Sequence, residues 1–229
     1  MALATWWRSD PLPSMAALPG FDAAICDDDV MLAELNRISI QEVQARRHAG
    51  HRPYVAYLDG TPVAYGWVAT REASIGELNL SITLPRSDRY LWDFATLPSW
   101  QGRGLYPRLL RAILRQEVHH AERFWIIYAP ENLPSGAGVA KAGFIPAAEL
   151  SFDASHQVCL ASLGAYERAR AAAELLGVPL LDAPLAPCWC CQSGETASNT
   201  NGACWPPAGL EAAACTCAIE RKPSALLVT

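Results

Sequence analysis

The chain has 229 residues, of which 51% are apolar and 18% are charged, so it can bury a packed core and global disorder is not expected. Its formal net charge of -5 argues against a nucleic-acid-binding surface, which is normally basic. Residues 1–13 lack the apolar run of a signal peptide, and no stretch is long and apolar enough to cross a bilayer. We therefore expect a cytoplasmic monomer or homodimer that binds neither nucleic acid nor membranes.

The first part of the chain predicts one helix and several strands. Residues 1–20 show no clear period, and residues 21–26 predict a short strand. Residues 30–47 carry apolar side chains near helical spacing after a run of acidic residues, and they predict a helix. Residues 53–58 and 63–70 predict two strands, because an Asp-Gly pair between them is typical of a hairpin turn.

The middle of the chain predicts two more strands and a long helix. Residues 75–84 alternate in hydropathy and predict a third strand, and residues 90–97 predict a fourth, which Pro98 ends. A helix follows from about residue 105 to residue 120. Pro107 falls in its first turn, where a missing N–H is tolerated.

The remaining segments predict a fifth strand and two shorter helices. Residues 124–129 form an apolar run, and residues 132–142 predict a short helix that Gly143 ends. Strand character extends over residues 144–160, and the alanine-rich residues 165–176 predict a final helix.

A glycine turn, Gln101-Gly102-Arg103-Gly104, separates the fourth strand from the long helix. Glycines let a backbone bend tightly and approach a ligand closely. Successive N–H groups at a helix start point at one spot, where the helix dipole adds positive charge. A diphosphate fits that spot, and Arg103 or Arg108 adds charge there. Taken alone, such a turn is equally explained by packing.

Three motifs in order resemble those of the GNAT acetyltransferases. Residues 100–110, WQGRGLYPRLL, resemble the acetyl-CoA signature Arg/Gln-x-x-Gly-x-Gly/Ala, and residues 93–98, DFATLP, resemble the strand before it. Asn132 and residues 140–144, AKAGF, resemble the second cofactor motif. The resemblance covers residues 22–163. It implies an α/β fold whose mixed sheet, flanked by helices, is splayed between its fourth and fifth strands, with acetyl-CoA in the opening.

The resemblance implies acetyl transfer from acetyl-CoA to an amine of a small molecule or peptide, by direct attack in a ternary complex. We divide the chain into an N-terminal leader (1–20), a GNAT-like acetyltransferase domain (21–163), and a helical linker with a cysteine-rich tail (164–229). Backbone groups of the fourth strand are then expected to face pantetheine, and those of the turn to hold pyrophosphate. The implied cofactor-binding residues are Phe94, Ala95, Thr96, Leu97, Gln101, Gly102, Arg103, Gly104, Leu105, Tyr106 and Asn132.

The sequence departs from the family pattern at two positions. Tyr106 stands where the family usually has Gly or Ala. Val139 stands where many members have the Tyr that protonates the leaving CoA thiolate. Valine cannot donate a proton, so either another group does so or CoA leaves unaided.

Acetyl transfer needs a base, because the amine must be neutral when it attacks. Asp93 is the first candidate, since it lies on the strand beside the expected acetyl site; a structural hydrogen bond or a contact with the substrate ammonium are its alternatives. Glu77 is a second candidate from the neighbouring strand, or else part of a solvated face. Tyr90 is a candidate proton donor, or else a packing residue.

Six of the eight cysteines crowd the last fifth of the chain, which lies outside the resemblance. Thiolates in Cys-x-Cys pairs bind zinc or another thiophilic metal, while free thiols and disulfides are the alternatives. The candidate metal ligands are Cys188, Cys190, Cys191, Cys204, Cys215 and Cys217. A second possible function is therefore a catalytically degenerate CoA-binding or metal- or redox-sensing protein, and a third is a metal-dependent partner-binding module.

Overall fold

The computed structural model describes residues 1–152 and 157–181. The strands are β1 (Ala2–Trp7), β2 (Phe21–Ile25), β3 (His51–Leu58), β4 (Thr61–Ala69), β5 (Glu72–Ile75), β6 (Leu80–Thr83), β7 (Asp88–Thr96), β8 (Arg123–Tyr128), β9 (Ile145–Phe152), β10 (Val158–Ser162) and β11 (Leu180–Leu181). The helices are α1 (Asp29–Asn36), α2 (Ile40–His48), α3 (Leu105–Glu117), α4 (Leu133–Lys141) and α5 (Tyr166–Leu176), with short 3₁₀ helices at Gly76–Leu78 and Pro98–Trp100. No helix among these residues is long and apolar enough to cross a membrane.

The main sheet has nine strands in the order β11-β10-β9-β1-β8-β7-β4-β3-β2, and β5 and β6 form a separate hairpin. Helices α3 and α4 pack on one face of the main sheet, and α5 packs with the β5–β6 hairpin on the other. Helices α1 and α2 cover a third cluster, next to β3 and β4. The fold is thus a mixed α/β sheet flanked by helices, as the sequence predicted.

The sheet is splayed between β7 and β8. These strands pair in parallel from Asp88↔Arg123 to Leu91↔Ile126, and both then continue, to Thr96 and to Tyr128, beyond that pairing. On its other side β7 stays paired with β4, although the register shifts between Tyr65 and Trp67. The opening predicted from the resemblance is therefore present at the end of the β7–β8 pair.

Strand β1 was not expected from the sequence. It lies between β8 and β9, antiparallel to both, and its first five residues are buried. A strand covered on both faces loses the polar alternation by which strands are recognised, and Leu3, Ala4 and Trp6 all point into core clusters.

Two further predictions were wrong in detail. Residues 30–47 form two helices rather than one, because the chain turns through a left-handed Arg37 and Ser39 then caps α2 by accepting from the Glu42 N–H at 3.1 Å. Residues 75–84 do not form one strand, since a 3₁₀ turn at Gly76–Leu78 folds them into the β5–β6 hairpin. Glu77 consequently lies in a turn and not on a strand.

A buried carboxylate, Glu117 at the end of α3, ties that helix to the sheet. It accepts hydrogen bonds from Arg52 Nη1 at 2.7 Å, Tyr54 Oη at 2.8 Å and Arg89 Nε at 3.0 Å, and it is 1% exposed. Burial raises the pKa of Glu117, but these donors outweigh burial and hold the pKa below its usual range. Glu117 is therefore ionised and fully bonded at neutral pH.

We predict that Glu117→Gln lowers the free energy of unfolding by about 3 kcal/mol, because it leaves the buried Arg89 without its counter-charge. Urea unfolding of the variant and the wild type measures this. Because the pKa of Glu117 is depressed in the folded state, its carboxylate stabilises the fold at neutral pH, and this stabilisation is lost as pH falls through that pKa. The difference in the free energy of unfolding between wild type and Glu117→Gln should therefore shrink on acidification. Glu174→Gln, which breaks an exposed pair with Arg170, is the control and should leave the midpoint unchanged. Equal midpoints for Glu117→Gln and wild type would contradict the role given to Glu117.

Candidate active site

A cavity of about 780 Å³ opens where β7 and β8 part, and we call it the cofactor cleft. Its walls come from the second half of β7, the glycine turn with the start of α3, the end of β8, and α4. Nine of the eleven predicted cofactor-binding residues line it. The other two, Leu97 and Arg103, lie outside the lining, and the Leu97 N–H donates to the Val63 carbonyl at 2.9 Å.

The glycine turn has the backbone shape expected of an anion site. Gly102 and Gly104 have φ of 75° and 68°, in the left-handed region that other residues rarely adopt. Gly104 is the N-cap of α3 and offers no side-chain cap, so the first N–H groups of the helix are left for another acceptor. Because the turn and the start of α3 line the cleft, these groups can bind a phosphate group there.

Polar side chains fix the turn and add positive charge. Gln101 Nε2 donates to the Thr96 carbonyl at 3.2 Å and so joins the turn to β7. Arg108 donates to the Gly104 carbonyl at 2.9 Å, and the Arg103 guanidinium lies 4.6 Å from the centre of the Trp100 ring. The sequence analysis did not single out Lys141, a further cation in the lining, which comes from the last turn of α4.

Asn132 acts within the protein as the N-cap of α4, since its Oδ1 accepts from the Ser135 N–H at 3.1 Å. Seven residues further along, Val139 is 1% exposed and belongs to the core cluster beneath α3. A side chain at position 139 therefore faces the core in this chain, and α4 brings no phenol into the cleft from there.

Tyr106 reaches the cleft from the first turn of α3. Its ring lies 5.8 Å from the Phe94 ring, and a Cβ atom at Gly138 would come within 2.4 Å of it. Burial raises the pKa of Tyr106 to about 12, although a hydrogen bond with Ser135 opposes the shift. The large side chain in the signature is thus accommodated because α4 has a glycine opposite to it.

Tyr128, at the end of β8, is a second phenol in the cleft and was not singled out from the sequence. Burial raises its pKa, so the hydroxyl keeps its proton throughout the neutral range. Gly136 of α4 again makes room, since a Cβ there would approach the Tyr128 ring to 3.1 Å.

A second cavity, of about 770 Å³, lies beside the cofactor cleft, and we call it the acceptor cavity. It is walled by the segment between α1 and α2, the β5–β6 hairpin, and the ends of β8 and β9. The residues that line both cavities are Trp92, Asp93, Ile127, Tyr128 and Ala129. Two chambers of small-molecule size therefore meet at the point where β7 and β8 separate.

Asp93 stands at this meeting point. It has a φ of 52° and sits at the irregularity in the β4–β7 ladder, where Gly66 leaves space for the Phe94 ring. Its Oδ2 accepts from Arg46 Nη1 at 2.5 Å. The Arg46 guanidinium lies over Trp92, 4.6 Å from the ring centre, so its position is fixed. The carboxylate is held in place and remains 29% exposed.

The other predicted catalytic and metal-binding residues are placed as follows. Tyr90 is buried and lines the acceptor cavity. Glu77 lies in the 3₁₀ turn beside that cavity, and its side chain is outside the described part of the structure.

The six tail cysteines, from Cys188 to Cys217, also lie outside the described residues, so the metal site there stays a prediction. Among the residues that are described, no group of three or more His, Cys, Asp or Glu could hold a metal ion.

Comparison with known proteins identifies a family model that covers more than half of the chain. Residues 16–144 match the acetyltransferase (GNAT) family. No curated protein matches.

Among solved structures, the GCN5-related N-acetyltransferase from Kribbella flavida is 18% identical, with 63% of this chain and 53% of that protein aligned at a TM-score of 0.41. AAC(6')-Ib in complex with ribostamycin and coenzyme A is 19% identical (58% and 85% aligned, TM-score 0.41). The aminoglycoside 6'-N-acetyltransferase AAC(6')-Ih from Acinetobacter baumannii is 16% identical (55% and 91% aligned, TM-score 0.40). The chain thus spans about half the length of the Kribbella protein, and the family assignment rests on the family model.

The contact between Tyr106 and Gly138 predicts a reversal of sign in a double-mutant cycle. Gly138→Ala should lower the free energy of unfolding by about 1 kcal/mol or more, because the new methyl group overlaps the Tyr106 ring. In a Tyr106→Ala background the overlap is gone, and the same change should raise stability by up to about 1 kcal/mol through helix propensity. Urea unfolding of the four proteins checks this, and an equal effect of Gly138→Ala in both backgrounds would contradict the contact.

Proposed function

The chain belongs to the GNAT acetyltransferase family, and from this premise we propose that it transfers the acetyl group of acetyl-CoA to an amine of a small molecule or peptide. The amine attacks directly in a ternary complex, without a covalent enzyme intermediate. The observation that carries this proposal is the meeting of the cofactor cleft and the acceptor cavity at Asp93. A cofactor bound in the cleft and an amine bound in the cavity would meet at Asp93, with no protein element between them.

The residues of the cofactor cleft fit acetyl-CoA. The glycine turn and the uncapped start of α3 present N–H groups to a pyrophosphate, and Arg103 and Lys141 add positive charge nearby. The part of β7 that no longer pairs with β8, from Phe94 to Thr96, offers backbone groups on that side to the amide-containing pantetheine arm. When bound, acetyl-CoA supplies a thioester whose carbonyl carbon is the point of attack.

We propose that Asp93 binds the acceptor amine and removes its proton. An amine arrives as an ammonium ion, which the Asp93 carboxylate can bind because Arg46 occupies only its Oδ2. The same carboxylate can then take a proton from the nitrogen, directly or through water, so that the neutral amine attacks. Arg46 keeps the carboxylate in one orientation during both steps.

We propose that Tyr128 donates a proton to the departing CoA sulfur. Valine has no proton to donate and Val139 is buried in the core, so a proton donor would have to be another residue. Two phenols line the cofactor cleft, and of these Tyr128 alone among the described residues also lines the acceptor cavity. We therefore infer that Tyr128, rather than Tyr106, is the phenol beside the thioester. The phenolate that results recovers its proton from solvent.

The role of Asp93 predicts a selective loss of activity. Asp93→Asn should lower kcat/KM for the amine by about 100-fold at neutral pH, because asparagine can neither take a proton nor pair with an ammonium ion. Asparagine tolerates a φ of 52°, so acetyl-CoA binding measured by calorimetry should be unchanged. Asp27→Asn, at a carboxylate that is 94% exposed, is the matched control and should retain full activity. Undiminished turnover by Asp93→Asn would remove Asp93 from the mechanism, and a wild type that does not bind acetyl-CoA would refute the proposed function.

The role of Tyr128 predicts an effect on kcat rather than on cofactor binding. Tyr128→Phe should lower kcat by about 100-fold at saturating acetyl-CoA, with little change in KM for acetyl-CoA, because only the proton is removed. Thiol release followed with a chromogenic disulfide measures both parameters. Tyr106→Phe removes the other phenol of the cleft and should change kcat far less. If the two variants show the reverse order, Tyr106 is the acid.

A further inference from the structure

Asp93 is held by a network whose outer members lie away from both cavities. We propose that Glu42 and Trp67, neither of which lines the cofactor cleft or the acceptor cavity, are positioning residues that act on Asp93 through the Arg46 guanidinium. This inference rests on the proposed function, since Asp93 has an amine to meet only if the protein is an acetyltransferase. It extends the site to α2 and β4, whose residues hold the carboxylate without touching the reactants.

The Arg46 guanidinium bridges two carboxylates. Its Nε donates to Glu42 Oε1 at 3.0 Å, and its Nη1 donates to Asp93 Oδ2 at 2.5 Å. Glu42 precedes Arg46 by one turn of α2, so the two side chains meet on one face of the helix. Because the guanidinium is a planar fork, hydrogen bonds at two of its nitrogens fix the direction in which Nη1 points. The Arg46 side chain is 13% exposed, so its neighbours restrict any other arrangement.

Two indole rings hold the same guanidinium by cation–π contacts. Its central carbon, Cζ, lies 5.1 Å from the centre of the Trp67 ring and 4.6 Å from that of the Trp92 ring. Trp67 is fully buried, and its Nε1 donates to Asn36 Oδ1 at 2.8 Å, which fixes the ring. A cation over an indole ring is attracted to it, more strongly where water is excluded. Trp67 therefore anchors Arg46 to the core, and Arg46 in turn anchors Asp93.

Glu42 also sets the charge that Asp93 presents to an amine. The bridge contains two carboxylates and one guanidinium, so it carries one net negative charge. Without Glu42, the charge of Arg46 would be balanced by Asp93 alone, and the pair would attract an ammonium ion less strongly. The effect is moderate because Glu42 is 50% exposed and water screens its charge. We expect Glu42 to contribute mainly to binding of the amine, and Trp67 to the orientation of the carboxylate.

The variant Glu42→Gln tests the charge of the bridge. We expect KM for the amine to rise about fivefold and kcat to change less than about twofold, while acetyl-CoA binding measured by calorimetry stays the same. The amine is whichever of benzylamine, putrescine, glucosamine and a lysine-containing peptide the wild type acetylates fastest, followed as thiol release. Glu174→Gln also breaks an i,i+4 pair with an arginine, and as the matched control it should leave KM unchanged.

The variant Arg46→Ala tests the link to Asp93, because it opens a space that a free guanidinium ion can fill. We expect kcat/KM to fall about 100-fold, since a misplaced carboxylate reacts poorly, and guanidinium chloride at about 20 mM to restore it at least about tenfold. That concentration is far below those that unfold proteins, and sodium chloride at the same concentration should restore nothing. Adding Glu42→Gln or Trp67→Phe to Arg46→Ala should weaken the rescue about fivefold. Arg170→Ala, at a side chain that is 68% exposed, is the control and should neither lose activity nor respond to guanidinium.

The outcomes separate the network from the proposed function. An unchanged KM in Glu42→Gln overturns the role of Glu42 and leaves the acetyltransferase activity standing. Equal rescue of Arg46→Ala with and without the Glu42 and Trp67 substitutions does the same for both residues. If the wild type does not bind acetyl-CoA, the proposed function fails.

Two further results are decided by other measurements. If the wild type binds acetyl-CoA but acetylates none of the four amines, guanidinium chloride is titrated into Arg46→Ala and tryptophan fluorescence reports binding. Binding that weakens when Glu42→Gln or Asp93→Asn is added supports the bridge, and absent or equal binding overturns it. If Arg46→Ala or Trp67→Phe does not fold, KM of Glu42→Gln decides, because a half-exposed side chain can be replaced without loss of the fold.

Discussion

The cofactor cleft exists because hydrogen bonding between β7 and β8 stops before either strand ends. The two strands pair as far as Leu91↔Ile126 and then separate, although each runs on for at least two residues. Backbone groups on the separated segments are left to find partners elsewhere, and a buried group without a partner is unfavourable. A ligand that carries amides of its own can supply those partners. The split thus creates the cleft and also the polar surface that makes it a binding site.

Small residues hold the split open by giving aromatic rings a place to lie. The Phe94 ring covers Gly66 and the Tyr106 ring covers Gly138, so closely that a Cβ atom on either glycine would overlap the ring. The Tyr128 ring lies against Gly136, where a Cβ atom would make a tight contact at 3.1 Å. The contact between Tyr106 and Gly138 explains how a signature with a tyrosine in place of a small residue can still fold. The volume of the Tyr106 and Tyr128 rings is accommodated where α4 has glycines, which keeps the packing dense.

The sequence predicted those features that depend on neighbours along the chain. The Asp-Gly hairpin, the start of α3 at the glycine turn and the short α4 after Asn132 all have local signals in turn and cap residues. Strand β1 has no such signal because it is buried on both faces, and the break at Arg37 was hidden within a helical pattern that continues through it. The acceptor cavity was missed for a different reason. Its walls come from α1, the β5–β6 hairpin, β8 and β9, and only the folded sheet brings them together.

In the proposed reaction, the ion pair between Arg46 and Asp93 sets the geometry of proton transfer. Arg46 binds Asp93 Oδ2 as well as Glu42, and its guanidinium lies over the Trp92 ring, so the carboxylate is held in one orientation. An amine that moves from water into the cavity is desolvated, and desolvation lowers the pKa of its ammonium ion because it disfavours the charged form. The proton to be removed is then held less tightly. A carboxylate that is fixed beside the nitrogen therefore needs less intrinsic basicity to take that proton.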